Sequence, residues 1–94
     1  MPERSDLLQS FRFLRLWQYI HEYFVQAYTD AAKEKLHTDT LDTQLLFSIR
    51  LYCYGGVGMS REWILNDNVT SAETVIAMMF QSMPESMRQI YFGE

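Results

Sequence analysis

Three features of this chain have residue types that could do chemistry: the lone cysteine Cys53, the histidines His21 and His37, and the glycine-rich run Tyr54-Gly55-Gly56-Val57-Gly58-Met59. A nucleophilic cysteine must be a thiolate, which needs an electropositive, partly open setting beside a base. Cys53 stands instead in Leu51 to Met59, a stretch without a single charge, and reads as a buried, inert thiol. One cysteine excludes an internal disulfide, and two widely separated histidines leave no metal-ligand spacing. His21, beside Glu22 near the polar side of a helix, and His37, in a loop, read as solvated. A phosphate loop would need a preceding strand and a Gly-Lys-Ser/Thr, and Gly56-x-Gly58 is followed by Arg61 where a third glycine belongs. Glycines inside a helix cost about 1 kcal/mol each relative to Ala, so Gly55, Gly56 and Gly58 read as a place where another helix approaches closely. Asp39 and Asp42 fit capping roles, and Glu22, Asp30 and Glu34 an ordinary helix surface. The expectation is a protein that is not an enzyme and holds no metal or cofactor.

The elements that would position these residues are helical, because the helical period recurs throughout and no stretch alternates as a strand does. A first helix is expected over about 6–36, with Phe13, Trp17, Ile20, Phe24, Ala27 and Ala31 on its apolar face. His37-Thr38-Asp39-Thr40 breaks the period, and Asp39 or Thr40 is expected to cap a second helix over about 41–66. Leu45, Ile49, Tyr52, Gly56, Met59 and Trp63 form one seam on it. From Leu51 to Met59 its apolar residues point all round the axis, the pattern of a helix covered on every side. After the link Asn66-Asp67-Asn68, Thr70-Ser71-Ala72-Glu73 fits a capping box, and a third helix follows over about 71–83. Pro84 is suited to the first turn of a last short helix through Met87, Ile90 and Tyr91.

Composition sharpens this. Of 94 residues, 48% are hydrophobic and 15% aromatic, with six Met, while a chain of this mass buries only roughly 65% of its unfolded surface. Part of that load is expected to meet another surface. The net charge of −4 and the scattered arginines and lysines exclude nucleic-acid binding by this segment. The absence of a long apolar run or a signal-type h-region points to a soluble, cytoplasmic protein with no membrane segment. Two uses for the aromatic and Met side chains stay open: plain core and interface packing, or an apolar ligand cavity between helices one and two, lined by Trp17, Tyr28, Phe47, Tyr54 and Met59.

The run from Tyr52 to Ile64, Tyr-Cys-Tyr-Gly-Gly-Val-Gly-Met-Ser-Arg-Glu-Trp-Ile, a polar link and then Ser71-Ala72-Glu73 resemble the C-terminal regulatory domain of TetR-type transcriptional regulators, the Firmicutes-style subgroup in particular. The resemblance covers about Phe11 to Phe80, with Asn66-Asp67-Asn68 where the family usually has Gly. It implies an all-α bundle whose last two long helices pair with those of a twofold mate, with a small apolar effector bound between regulatory helices. By position, the implied dimer surface is Tyr54, Val57, Gly58, Arg61 and Ile64 of the second helix and Ile76, Met79, Phe80 and Met83 of the third. DNA would be reached only through an N-terminal helix-turn-helix domain that is not in this chain, so residues 1–94 are expected to be a single dimerisation and effector-sensing domain of a repressor. The alternative is a stand-alone helical homodimerisation or interaction module without a ligand.

Overall fold

The first helix needs a stop, and the backbone supplies one at His37, whose φ of 53° is left-handed. The Thr38 N–H donates to the Lys33 carbonyl at 3.0 Å and the His37 N–H to the Glu34 carbonyl at 3.3 Å, the two bonds of a Schellman ending. A computed structural model of the chain describes residues 4–67 and 69–93; for residues 4–11 and 13 only the backbone is described. Four helices follow in order: α1 (Arg4–Leu36), α2 (Thr43–Asn66), α3 (Ala72–Gln81) and α4 (Glu85–Phe92). The described residues contain no strand, so the all-α expectation holds.

The helix starts differ from expectation in two places. α2 is capped by Asp42, whose Oδ1 accepts the Leu45 N–H at 2.7 Å, and not by Asp39 or Thr40. Thr38 Oγ1 donates to the Thr40 carbonyl and accepts the Thr40 N–H, which holds those residues in a turn and delays the helix. α3 is capped by Ser71, whose Oγ accepts the Thr74 N–H at 3.1 Å. The Thr70 hydroxyl expected in that role donates instead to Asp67 Oδ2 at 2.7 Å, while Asp67 Oδ1 accepts the N–H groups of Val69 and Thr70. The link is therefore folded around the Asp67 carboxylate, and these bonds hold its pKa below the usual carboxylate value. Asn68, part of the same link, lies outside the described residues. α3 stops at Gln81, short of Met83, where Ser82 turns both its N–H and its hydroxyl onto the Met78 carbonyl. Pro84 caps α4 rather than occupying its first turn.

α1 and α2 form an antiparallel hairpin, and α4 closes one side of it. Ala32, Ile49, Cys53, Met83 and Met87 make the core, with Val25, Tyr28, Leu45, Tyr52, Ile90 and Tyr91 packed against it. The Tyr91 hydroxyl donates to the Tyr28 carbonyl at 2.7 Å, across 63 residues of sequence, and the Tyr28 ring meets Tyr52 and Tyr91 edge-on. Cys53 is buried as expected, and burial pushes its thiol up to about 11.

The inward face of α1 is turned by one residue from the expected one. His21, Val25, Tyr28 and Ala32 point in, while Phe24 is 43% exposed and Ala27 is exposed; Phe13 lies outside the described side chains. One residue is about 100° of rotation, and the small Ala32 lets the core close over α1 where Phe24 would hold it apart. The result leaves much surface open. The radius of gyration is 16.2 Å, against about 12 Å for a compact domain of this length. The accessible surface is 7565 Å², some 1,900 Å² above the roughly 5,700 Å² of a compact monomer of this mass.

Candidate binding grooves

α2 has a groove on each side. The first lies between α1 and α2 and holds about 760 Å³. Because the helices are antiparallel, Arg50 and Val25 stand at one end, Tyr54, His21 and Glu22 in the middle, and Arg61 and Leu14 at the other. The second, of about 800 Å³, lies between α2 and α3 and is walled by Leu51, Gly55 and Met59 on one side and Val75 and Met78 on the other. Ser48, Glu62 and Asn66 also line it, while several of its other polar groups are engaged within the chain. The Tyr52 hydroxyl donates to the Met79 carbonyl at 2.8 Å and the Trp63 indole N–H to the Thr70 carbonyl at 2.7 Å, so most of what this groove exposes is apolar. A smaller cavity of about 110 Å³ sits between Trp17, Tyr28, Cys53 and Met79.

The five expected ligand residues do not surround one cavity. Trp17 borders the first groove and the small cavity, Tyr28 only the small cavity, and Tyr54 only the first groove. Met59 borders the α2–α3 groove on the far side of the helix. Phe47 is 63% exposed and borders none of the three. A spread of aromatic positions right round α2 cannot converge on one ligand, and adjacent periodic faces are hard to separate without knowing which face is buried.

The expected dimer residues divide too. Tyr54, Val57, Gly58 and Arg61 line the α1–α2 groove. Ile64, Ile76 and Phe80 are exposed, Phe80 with its ring edge-on to that of Phe92 at 5.1 Å. Met79 lies against Gly56 and accepts a bond from the Ser60 hydroxyl at its sulfur. Met83 is 4% exposed and belongs to the chain's own core, so it has no surface to give a partner. The break after Gln81 is what turns it inward.

His21 corrects a further expectation: it is buried at 8% exposure, not solvated. Its ring lies 3.4 Å from that of Tyr54, centroid to centroid, and its Nε2 has no hydrogen-bond partner among the described residues. Burial, and then the charge of Arg50, hold its pKa below the ordinary value, with Glu22 pulling the other way. Burial and Arg50 therefore disfavour the charged imidazolium. The signal was in the sequence, since Trp17, His21, Val25, Tyr28 and Ala32 repeat at four, four, three and four. Arg61, expected on the dimer surface, shares this groove with Arg50, because eleven residues is three helical turns and puts both on one side of α2.

The glycines also separate. A methyl group at Gly56 would stand 3.0 Å from Met79 Cε, so this glycine admits α3; at Gly55 and Gly58 a methyl group would meet nothing within 4 Å. Among the described residues no group of three or more His, Cys, Asp or Glu could hold a metal ion, and no helix is long and apolar enough to cross a membrane. Comparison with known proteins finds no matching family, curated protein or solved structure.

Proposed function

We propose that this chain is the dimerisation and effector-sensing domain of a TetR-type transcriptional regulator, pairing with a second copy through α2 and α3. The observation that carries the pairing is the apolar α2–α3 groove, continuous with the exposed Phe47, Leu51 and Leu65 on one stripe of α2 and with Ile76 and Met78 on α3. The excess accessible surface is more than twice the roughly 800 Å² that a standard protein–protein interface removes from each partner, so one such interface fits within it. Gly55 opens onto the same groove with no neighbour of its own, so a helix from a second copy can come close there. Sensing falls to the other side of α2, where the α1–α2 groove has the size of a small-molecule site. A ligand there would favour one arrangement of paired helices only by binding it more tightly than the other.

Light scattering on the wild type and on Leu51→Glu tests the pairing. Leu51 is 62% exposed, so the variant folds; a dimer that becomes a folded monomer supports the proposal, and a wild type that is monomeric at micromolar concentration overturns it. The rival is a homodimerisation module without a ligand, favoured by the failure of the five expected ligand residues to converge. A dimer that takes up no small molecule in the α1–α2 groove would select it.

A further inference from the structure

The α1–α2 groove has an electrostatic character that the rest of the chain lacks. The whole chain carries a net charge of −4, yet among the described residues the groove is lined by two arginines, Arg50 and Arg61, and one carboxylate, Glu22. Among the described residues neither guanidinium makes a hydrogen bond or an ion pair, so their donors are available. The arginines stand about 16 Å apart along α2; Tyr54, His21 and Glu22 stand in the middle, and between these and Arg61 the lining has an apolar stretch of Trp17 from α1, Val57 and the bare backbone of Gly58.

The two ends differ. Glu22, in the middle of the groove, and Arg50 both act electrostatically on the His21 imidazole, so the carboxylate stands on the Arg50 side of the apolar stretch and opposes an anion there. At the Arg61 end the α1 wall has Leu14 and Gln18, and among the described residues no carboxylate lines it. A guanidinium with free donors, an amide beside it and an apolar trough leading away is an arrangement for a carboxylate with an extended apolar body. His21 lines the same groove but is more than nine-tenths buried, its ring against Tyr54 and its unpartnered Nε2 closed off from the surface.

We propose that this groove binds an elongated organic anion, its carboxylate on Arg61 and Gln18 and its aliphatic or aromatic body along Trp17, Val57 and Gly58. The assignment rests on the sensing role proposed above and gives that role a ligand class. Gly58 matters because the ligand body lies on its backbone, where a side chain would meet open space in the empty groove and the ligand in the filled one.

Calorimetric titration of the full chain with decanoate, decyltrimethylammonium and acetate, all below their micellar range, tests this. Saturable binding of decanoate, with neither the cation of equal chain length nor acetate binding comparably, is expected. Arg61→Gln should weaken decanoate at least tenfold and Gly58→Leu should abolish it, while Arg12→Gln, outside the groove, leaves it unchanged; thermal melts of each variant confirm folding. Equal binding of decanoate and decyltrimethylammonium, no saturable decanoate binding at millimolar concentration, or wild-type affinity in a folded Arg61→Gln would each overturn the proposal. A dimer that ignores decanoate overturns the ligand class and leaves the pairing standing, and a monomer that binds it does the reverse.

Discussion

The side of the molecule where α1 and α4 close on α2 and the side where α3 lies on α2 are built from similar residues and packed to different degrees. On the first, Ala32, Ile49, Cys53, Met83 and Met87 are buried and three tyrosines interlock around them. On the second, α3 has no buried residue, although its sequence is the most apolar of the four helices. The difference teaches where the chain's surplus of large side chains lies: one face of α2 completes the chain's own core, and the opposite face is left for something else.

If that division is right, mutations of equal size should have unequal effects on the two sides. Ile49 is fully buried, and Ile49→Ala should cost about 3 kcal/mol through lost transfer energy and an unfilled cavity, read from urea unfolding. Leu51→Glu, two residues on and exposed, should change the stability of the dissociated chain by no more than about 0.5 kcal/mol. Similar losses for the two would remove the asymmetry.

Much of the fold was legible because helix periodicity, Gly, Pro and the Asn/Asp/Ser/Thr breaks are local signals. Four helices stand within about two residues of where the period and breakers put them. The caps were misjudged at Thr70 and at Asp39 or Thr40 because several residues in a row could each cap, and the choice depends on side-chain bonds such as Thr70 to Asp67. Which face of α1 turns inward was not legible either. Aromatic size favoured the face of Phe24, whereas close approach to α2 and α4 favours small residues such as Ala32. The site suffered most, because every face of α2 in its middle is apolar and the sequence cannot say which neighbour, α1, α3 or a second copy, covers each.

The weaker attachment of α3 can be probed through its hydrogen bonds. Trp63→Phe keeps the ring but removes the N–H that reaches the Thr70 carbonyl. It should cost about 1 kcal/mol and increase amide hydrogen exchange in α3 while leaving α1 and α4 protected. Uniformly faster exchange over all four helices would mean that α3 is held as firmly as the core.

The glycines sharpen the comparison from the other direction. Gly55→Ala gains helix propensity and meets no atom of its own chain, so the dissociated chain should gain up to about 1 kcal/mol. Gly56→Ala should gain less, since the flexible end of Met79 must give way by a few tenths of an ångström. If a second copy crosses at Gly55, the same Ala raises the melting temperature of dilute protein and weakens the dimer, and sedimentation across a concentration series reads both. A stabilised dimer would place the crossing elsewhere.

The smallest effect concerns His21, on the boundary between core and groove. Its pKa in the folded chain lies below the ordinary 6.5, through burial first and Arg50 second, with Glu22 opposing. The unfolded chain therefore binds a proton that the folded chain resists. Stability from this group is fully present above about pH 6.5 and falls as the pH drops below that value toward the folded pKa. Asp67, whose pKa is also lowered, adds its own loss only below about 3.8, so the two windows separate. His21→Gln should flatten the slope of unfolding free energy just below pH 6.5 and leave the deeper acid loss in place. Arg50→Gln should flatten it partly, because burial still excludes the imidazolium after the neighbouring charge is gone. An unchanged slope in His21→Gln would show that Tyr54 does not seal the histidine from water, and the boundary between closed core and open groove would then move one turn inward.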